Sequence, residues 1–127
     1  MKRGYVIITN NPILGGALGG KCEVIYIACT YEDILKKIRD KIHLGYRLMS
    51  HPLSGSVKPG ETPYKSVMLS ADANRVDMKS LSMIESAIQS CAKFNFKQDC
   101  YDGKILEDFQ QVDLSLIKSG IDSAGIG

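Results

Sequence analysis

The run Tyr5–Thr9, with the sequence YVIIT, constrains the fold more than any other part of the chain. It is almost wholly apolar and rich in β-branched residues, which is typical of a strand buried within a sheet. Asn10, Asn11 and Pro12 follow directly and predict that the strand ends in a loop. A buried strand must be covered by other elements, so the run favours a sheet with helices packed on it.

Three further segments have the composition of strands. Residues 23–28 are expected to form a second buried strand, and residues 46–50 and 66–70 a third and a fourth. The stretch from Gly15 to Gly20 contains four glycines, each of which weakens a helix by about 1 kcal/mol relative to alanine. It therefore predicts a short helical turn or a loop.

Three segments show helical periodicity. Thr30 is a good N-cap for the first helix, His43 suits the negative end of its dipole, and Gly45 can terminate it. Its apolar face consists of Tyr31, Ile34, Leu35, Ile38 and Ile42. The second helix is expected to start near Asp77, with the stripe Leu81, Ile84, Ile88 and Cys91. The third is predicted over residues 105–119, with Leu106, Phe109, Leu116 and Ile117 facing inward and Gly120 closing it.

These elements predict an α/β fold. The expected architecture is a single-domain sandwich over residues 1–120, with a mostly parallel or mixed sheet of about four strands and helices packed on it. The chain has 127 residues, which suits one domain. Residues 121–127 are expected to fray. The connection between residues 50 and 66 shows no helix, so an antiparallel hairpin with a long loop is the simpler way to join the strands that flank it.

Charge and cysteine usage exclude several classes of protein. The formal net charge is +2, and the Lys and Arg residues alternate with acids, so no nucleic-acid partner is expected. The apolar run near the N-terminus is too short for a signal peptide or a membrane span, which favours the cytoplasm. The four cysteines form no C-x-x-C pair, so free thiols, no metal site and no cofactor are expected.

Residues 51–66 form the strongest candidate for a binding site. Three loops, residues 10–20, 28–30 and 51–65, follow predicted strands, where ligands bind in open α/β sheets, and three prolines stiffen the last of them. Hydroxyls, glycines and ammonium groups are the materials of an anion site. The candidate ligand-binding residues are His51, Ser54, Gly55, Ser56, Lys58, Thr62, Tyr64 and Lys65. The alternative is an ordinary surface connection, since loops are often rich in Pro, Gly and Ser.

Asn10 and Asn11 are the second candidate. Their amides can hold a ligand carbonyl, but such residues more often cap the following turn through local backbone bonds. Neither histidine has a recognisable acid and nucleophile beside it, so no catalytic residues can be assigned.

Two motifs resemble the GrdX family, ITNNP at residues 8–12 and HPLSGSVKPGETPYKS at residues 51–66. The helical segment YEDILKKIRDKIHLGY extends the resemblance through the N-terminal half. Members of this family are encoded beside glycine, sarcosine and betaine reductase components in amino-acid-fermenting anaerobes. The resemblance implies an anaerobic cytoplasm, reduced cysteines and a role in that fermentation. It implies no particular reaction, but the pathway produces an acyl phosphate.

Three functions remain open. The first is an accessory protein whose loops hold a small anionic metabolite, phosphate or carboxylate, or a segment of a glycine reductase component. The second is a small enzyme acting on a phosphorylated or carboxylated metabolite, with His51 as acid/base and Lys58 or Lys65 as electrostatic stabiliser. The third is a structural protein that forms a homodimer through an exposed apolar helix stripe.

Overall fold

The computed structural model describes residues 4–50, 63–70, 75–92 and 102–123. Within them it contains three strands and four helices. In chain order these are β1 (Tyr5–Thr9), α1 (Leu14–Leu18), β2 (Glu23–Tyr26), α2 (Tyr31–His43), β3 (Ser66–Ser70), α3 (Met78–Ala92) and α4 (Gly103–Ser123). The glycine-rich stretch therefore contributes one short helix, the first of the two alternatives that its composition allowed.

The sheet has the order β2-β1-β3 and is mixed. β1 pairs with β2 in parallel, with Thr9 opposite Tyr26, and with β3 antiparallel, with Thr9 opposite Ser66. All five residues of β1 are buried. The prediction of a buried first strand is confirmed, and its cause is the central position of β1 between two partners.

The expected fourth strand is absent from the described residues. Residues 46–50 approach β3 through a single antiparallel bridge between Leu48 and Leu69. The Met49 N–H donates to the Met68 carbonyl and the Ser70 N–H to the Arg47 carbonyl, which makes the bridge. The Met68 N–H, however, donates to Ser50 Oγ at 3.0 Å, so the ladder does not lengthen into a strand. The antiparallel direction of the bridge agrees with the hairpin connection, whereas the count of four strands is not confirmed.

β2 is shorter and more exposed than the sequence predicts. It ends at Tyr26 rather than at residue 28, and both Glu23 and Tyr26 are exposed. The expectation of a second buried strand is wrong because β2 lies at the edge of the sheet and has a strand partner on only one side.

The core has two parts, one on each face of the sheet. Val6 and Ile8 of β1 point to one face, where they pack with apolar residues of α2 and α3. Tyr5 and Ile7 point to the other face, where α1 and α4 supply the apolar partners. The alternation of β1 side chains thus divides the helices into two pairs.

α2 follows its sequence signals closely. Thr30 Oγ1 accepts a hydrogen bond from the Asp33 N–H at 3.1 Å, so the predicted N-cap is confirmed. At the other end, the N–H of Gly45 donates to the Ile42 carbonyl and the N–H of Tyr46 to the Lys41 carbonyl. These two bonds form a Schellman motif, and Gly45 has the positive φ of 106° that the motif requires.

The third predicted helix is correct in kind but not in its inward face or its end. α4 runs from Gly103 to Ser123, and Gly120 lies inside it. Of the four residues predicted to face inward, Ile117 is buried, whereas Leu106, Phe109 and Leu116 are only half-buried. The buried positions are Asp113, Leu114, Ile117 and Ile121. Packing of Ile121 against the sheet extends the helix beyond the predicted end at Gly120.

α3 starts where the sequence indicates, since Asp77 Oδ2 accepts a hydrogen bond from the Ser80 N–H at 3.1 Å. Its Ile84 and Cys91 are buried, and Leu81 and Ile88 pack beside them. Among the described helices, none is long and apolar enough to cross a membrane.

Candidate functional site

One edge of the sheet brings together the end of β1, the end of β2 and the start of β3. β1 ends at Thr9 and β2 at Tyr26, and antiparallel β3 begins at Ser66 beside them. The chain leaves β1 towards α1 on one face, and it leaves β2 towards α2 on the other. Connections that diverge in this way open a crevice outside the carboxyl ends of parallel strands, which is where open α/β sheets bind ligands.

A pocket of about 330 Å³ lies in this crevice. Its lining comes from three separate parts of the chain: Asn10, Pro12, Tyr26, Ala28, Cys29, Thr30 and Tyr64. Most of the surface is apolar, and a few amide, hydroxyl and thiol groups interrupt it. This mixture, with the volume, matches the smaller ligand pockets of proteins.

Asn10 connects the three parts of the chain that surround the pocket. Its Nδ2 donates to the carbonyl oxygens of Cys29, at 3.0 Å, and Pro63, at 2.8 Å. Its Oδ1 accepts from the Lys65 N–H at 2.8 Å. Both amide protons are thus used inside the protein, so Asn10 shapes the pocket more than it offers donors to a ligand.

Asn11 is completely buried and has two roles. Its Oδ1 accepts a hydrogen bond from the Ile13 N–H at 3.2 Å, which is the local capping bond that the sequence favoured. Its Nδ2 reaches α4, where it donates to the Gln110 carbonyl oxygen at 2.9 Å and to Asp113 Oδ2 at 3.0 Å. Asn11 therefore joins the loop after β1 to the last helix.

Asp113 is the centre of a buried polar cluster that sequence reasoning missed. Ser66 Oγ donates to Asp113 Oδ2 at 2.6 Å, and Thr9 Oγ1 lies 2.7 Å from Ser66 Oγ. Because Ser66 gives its proton to Asp113, the Thr9 hydroxyl donates to Ser66. Thr9 in turn accepts from the Asn11 N–H at 2.8 Å. The cluster joins β1, β3 and α4 with directed hydrogen bonds.

Burial changes the titration of two charged groups in this cluster. It raises the pKa of Asp113 above the ordinary range, although hydrogen bonds from Ser66 and Asn11 and the charge of Lys65 act in the opposite direction. Burial also lowers the pKa of Lys65, and the negative charge of Asp113 opposes this shift. Both side chains are less than a tenth exposed. The attraction between the two groups therefore offsets only part of the effect of burial on each pKa.

Tyr64 is held at the pocket by α4. Gln110 Nε2 donates to the Tyr64 hydroxyl oxygen at 2.9 Å. Together, Gln110 and Asp113 of α4 and their partners Asn11, Tyr64 and Ser66 form what we call the α4 seam. It connects the helix to two segments that border the pocket.

Cys29 is the thiol that lines the pocket. Partial burial and the nearby charge of Asp33 raise its pKa, and Lys37 only partly offsets them. A thiol with a raised pKa carries little thiolate at neutral pH, so it is a poor nucleophile. Cys22, Cys29 and Cys91 are all free thiols, as the sequence predicted for these three.

The structure places some of the predicted site residues together. Asn10 and Tyr64 line the pocket, while Asn11 and Lys65 lie behind it in the buried cluster. The remaining predicted ligand-binding residues lie outside the described part of the chain: His51, Ser54, Gly55, Ser56, Lys58 and Thr62. Their role stays a prediction. Ala28 and Thr30 also line the pocket. Their loop was among the three expected to border a site because it follows β2, but neither residue was among the predicted ligand-binding residues.

Comparison with curated proteins gives no significant match. Comparison with solved structures also gives none. The family model of the GrdX-like proteins matches residues 6–122, which extend from β1 to α4 and leave out only the first residue of β1 and the last of α4. A match over most of the chain shows that the protein belongs to the family of GrdX-like proteins.

Proposed function

We propose that this GrdX-like protein is an accessory, ligand-binding component of glycine reductase-type amino-acid fermentation, and that the crevice pocket holds a small carboxylate or phosphate metabolite. Family membership supports the link to the fermentation. The pocket at the carboxyl ends of β1 and β2 is the observation that carries the binding role. It lies at the switch point of the sheet, where the fold itself creates a cleft.

The surroundings of Thr30 favour a small carboxylate over a dianionic phosphate. Thr30 lines the pocket and caps the 13-residue helix α2, whose N-terminus is the positive end of its dipole. Glu32 and Asp33 lie in the first turn of the same helix. Their negative charges oppose a second charge on the ligand, whereas a single carboxylate can still use the dipole and the hydroxyl.

Binding fits the described pocket better than catalysis. A nucleophile must be activated by a base or by a lowered pKa, and the Cys29 thiol shows the opposite shift. The alternative of a small enzyme with His51 as acid/base depends on a residue outside the described part of the chain, so the accessory role is preferred.

Titration of ¹⁵N-labelled protein with acetate, inorganic phosphate and acetyl phosphate tests the pocket. We expect backbone signals of residues 10–12 and 28–30 to shift, most strongly with acetate. Ala28→Leu should abolish these shifts because the larger side chain fills the pocket. Ala17→Leu is the matched control, since Ala17 is an exposed alanine on α1 that does not line the pocket. Shifts that survive in Ala28→Leu, or that occur elsewhere, would contradict a ligand site here.

A binding experiment with purified glycine reductase components tests the accessory role separately. We expect at least one component to bind the protein in a pull-down or by interferometry, and reductase turnover to change when the protein is added. Absence of both effects with all components would reject the accessory role, even if acetate occupies the pocket.

A further inference from the structure

One turn of α4 is bonded to segments on two sides of the pocket. On the β1 side, Asn11 Nδ2 donates to the Gln110 carbonyl oxygen at 2.9 Å and to Asp113 Oδ2 at 3.0 Å. Asn11 itself stands between two residues that line the pocket. On the β3 side, the Gln110 side chain donates to the Tyr64 hydroxyl at 2.9 Å, and Tyr64 is a lining residue. Gln110 therefore contacts both sides, one through its backbone and one through its side chain.

The packing of α4 shows why this turn is important for attaching the helix to the rest of the protein. None of the residues from Gly103 to Val112 is buried, whereas Leu114, Ile117 and Ile121 are. The most deeply buried apolar residues, the main source of helix attachment, thus come only after Asp113. Ahead of that point, where Leu106 and Phe109 are only half-buried, the hydrogen bonds of the α4 seam fix the helix at Asn11 and Tyr64.

We infer that Gln110 is a positioning residue of the pocket, and that ligand occupancy is coupled to the attachment of α4. The coupling half of this inference rests on the proposed function, since it needs a ligand. A ligand seated between Asn10 and Tyr64 restricts the same segments to which α4 is bonded. Binding must then stabilise the attached helix, and by reciprocity the attached helix must strengthen binding.

The side chain of Gln110 can be removed without touching its backbone bond. Gln110→Leu deletes the donor to Tyr64 but keeps the carbonyl that accepts from Asn11. Gln111→Leu is the matched control, because Gln111 is the exposed neighbour. With acetate as the probe, we expect Gln110→Leu to raise the Kd about two- to ten-fold, the worth of one hydrogen bond. Gln111→Leu should leave the Kd unchanged.

Amide hydrogen exchange separates positioning from mere structural support. Acetate should slow exchange at residues 110–118 in the wild-type protein and in Gln111→Leu, but much less in Gln110→Leu. A purely structural role would lower the thermal midpoint of Gln110→Leu and leave the acetate-dependent protection intact. Equal acetate affinity, or equal protection of α4, in the two variants would overturn the inference.

A ligand-free measurement keeps the positioning role testable if acetate binds nothing. That result would defeat the proposed ligand, not the role of Gln110. In the free protein, Gln110→Leu should shift the ring resonances of Tyr64 and speed amide exchange at residues 110–113. Gln111→Leu should do neither. Identical Tyr64 spectra in the two variants would then reject Gln110 as a positioning residue.

Discussion

Ser66 and Asp113 are joined by a hydrogen bond of 2.6 Å that links the first residue of β3 to the middle of α4. The bond is buried, and the same carboxylate oxygen also accepts from Asn11. A single oxygen of Asp113 thus satisfies donors from two segments that border the candidate pocket. Removal of that oxygen would deprive both buried donors of this acceptor.

Asp113→Ala should therefore destabilise the protein by about 2–4 kcal/mol, because two buried donors lose their acceptor. Urea unfolding followed by circular dichroism measures the loss. Asp122→Ala is the control, since Asp122 is an exposed acid on the same helix and should change the stability little. Equal losses in the two variants would show that the buried hydrogen bonds contribute nothing specific.

The stability attributable to Asp113 should fall as the pH rises. Its pKa in the folded protein is raised, so the native state holds the proton more tightly than the unfolded chain does. The contribution is complete below the ordinary aspartate pKa of about 4 and is lost as the pH rises through the folded pKa. Asp113→Asn cannot titrate. The free energy of unfolding of the wild-type protein, relative to that of Asp113→Asn, should decrease as the pH rises above about 4.

Gly45 and Gly120 should respond to alanine in opposite directions. Gly45 has a φ of 106°, so Gly45→Ala forces a side chain into a left-handed conformation at a cost of about 1–2 kcal/mol. Gly120 lies inside α4, and a Cβ added there would meet no atom within 4 Å. Gly120→Ala should stabilise the protein by about 0.5–1 kcal/mol. Thermal unfolding of both variants gives the test, and a stabilising Gly45→Ala would refute the Schellman geometry.

Asn10→Asp should destabilise the protein although it changes few atoms. The Asn10 amide donates to the carbonyl oxygens of Cys29 and Pro63, and a carboxylate would place negative charge against both. We expect a loss of about 2–4 kcal/mol near neutral pH, part of it recovered in acid when the new carboxyl is protonated. Urea unfolding at two pH values measures this. If the free energy of unfolding of Asn10→Asp did not depend on pH, the hydrogen bonds assigned to the Asn10 amide would be contradicted.

Cys91 should be inert towards thiol reagents in the native protein. Burial raises its pKa to about 11, and the side chain is 1% exposed. In a variant that keeps only this cysteine, labelling with a disulfide reagent at about pH 8 should be no faster than global unfolding. A matching variant that keeps only the half-buried Cys22 provides the comparison. Rapid labelling of Cys91 in native buffer would show that its helix opens locally.

Elements governed by nearby residues could be predicted, and those governed by distant pairing could not. α2 has its cap, its apolar face and its terminating glycine within sixteen residues, so the residues of this segment were sufficient to predict the helix and both of its ends. The exposure of β2 depends on its place at the sheet edge, which no local pattern encodes. Its apolar composition is equally compatible with a central strand.

The same distinction between local and distant contacts applies to the candidate site. Its location at the end of β1 followed from the buried strand and from the general rule for α/β sheets. Asp113 was missed because an acid in a helix normally faces solvent, although its chain neighbours Val112 and Leu114 are apolar. Its partners Asn11 and Ser66 are far away in the chain, and only the fold reveals that they turn this position inward.

The α4 seam also sets an order of events during synthesis. Thr9 and Ser66 are 57 residues apart in the chain, and Asn11 and Asp113 are 102 apart. While the chain is still emerging from the ribosome, the strands can pair before the carboxylate that accepts from both Asn11 and Ser66 has been made. The crevice can take its final shape only after residue 113 has joined the fold. A ligand would therefore bind only to chains in which α4 has already packed on the sheet.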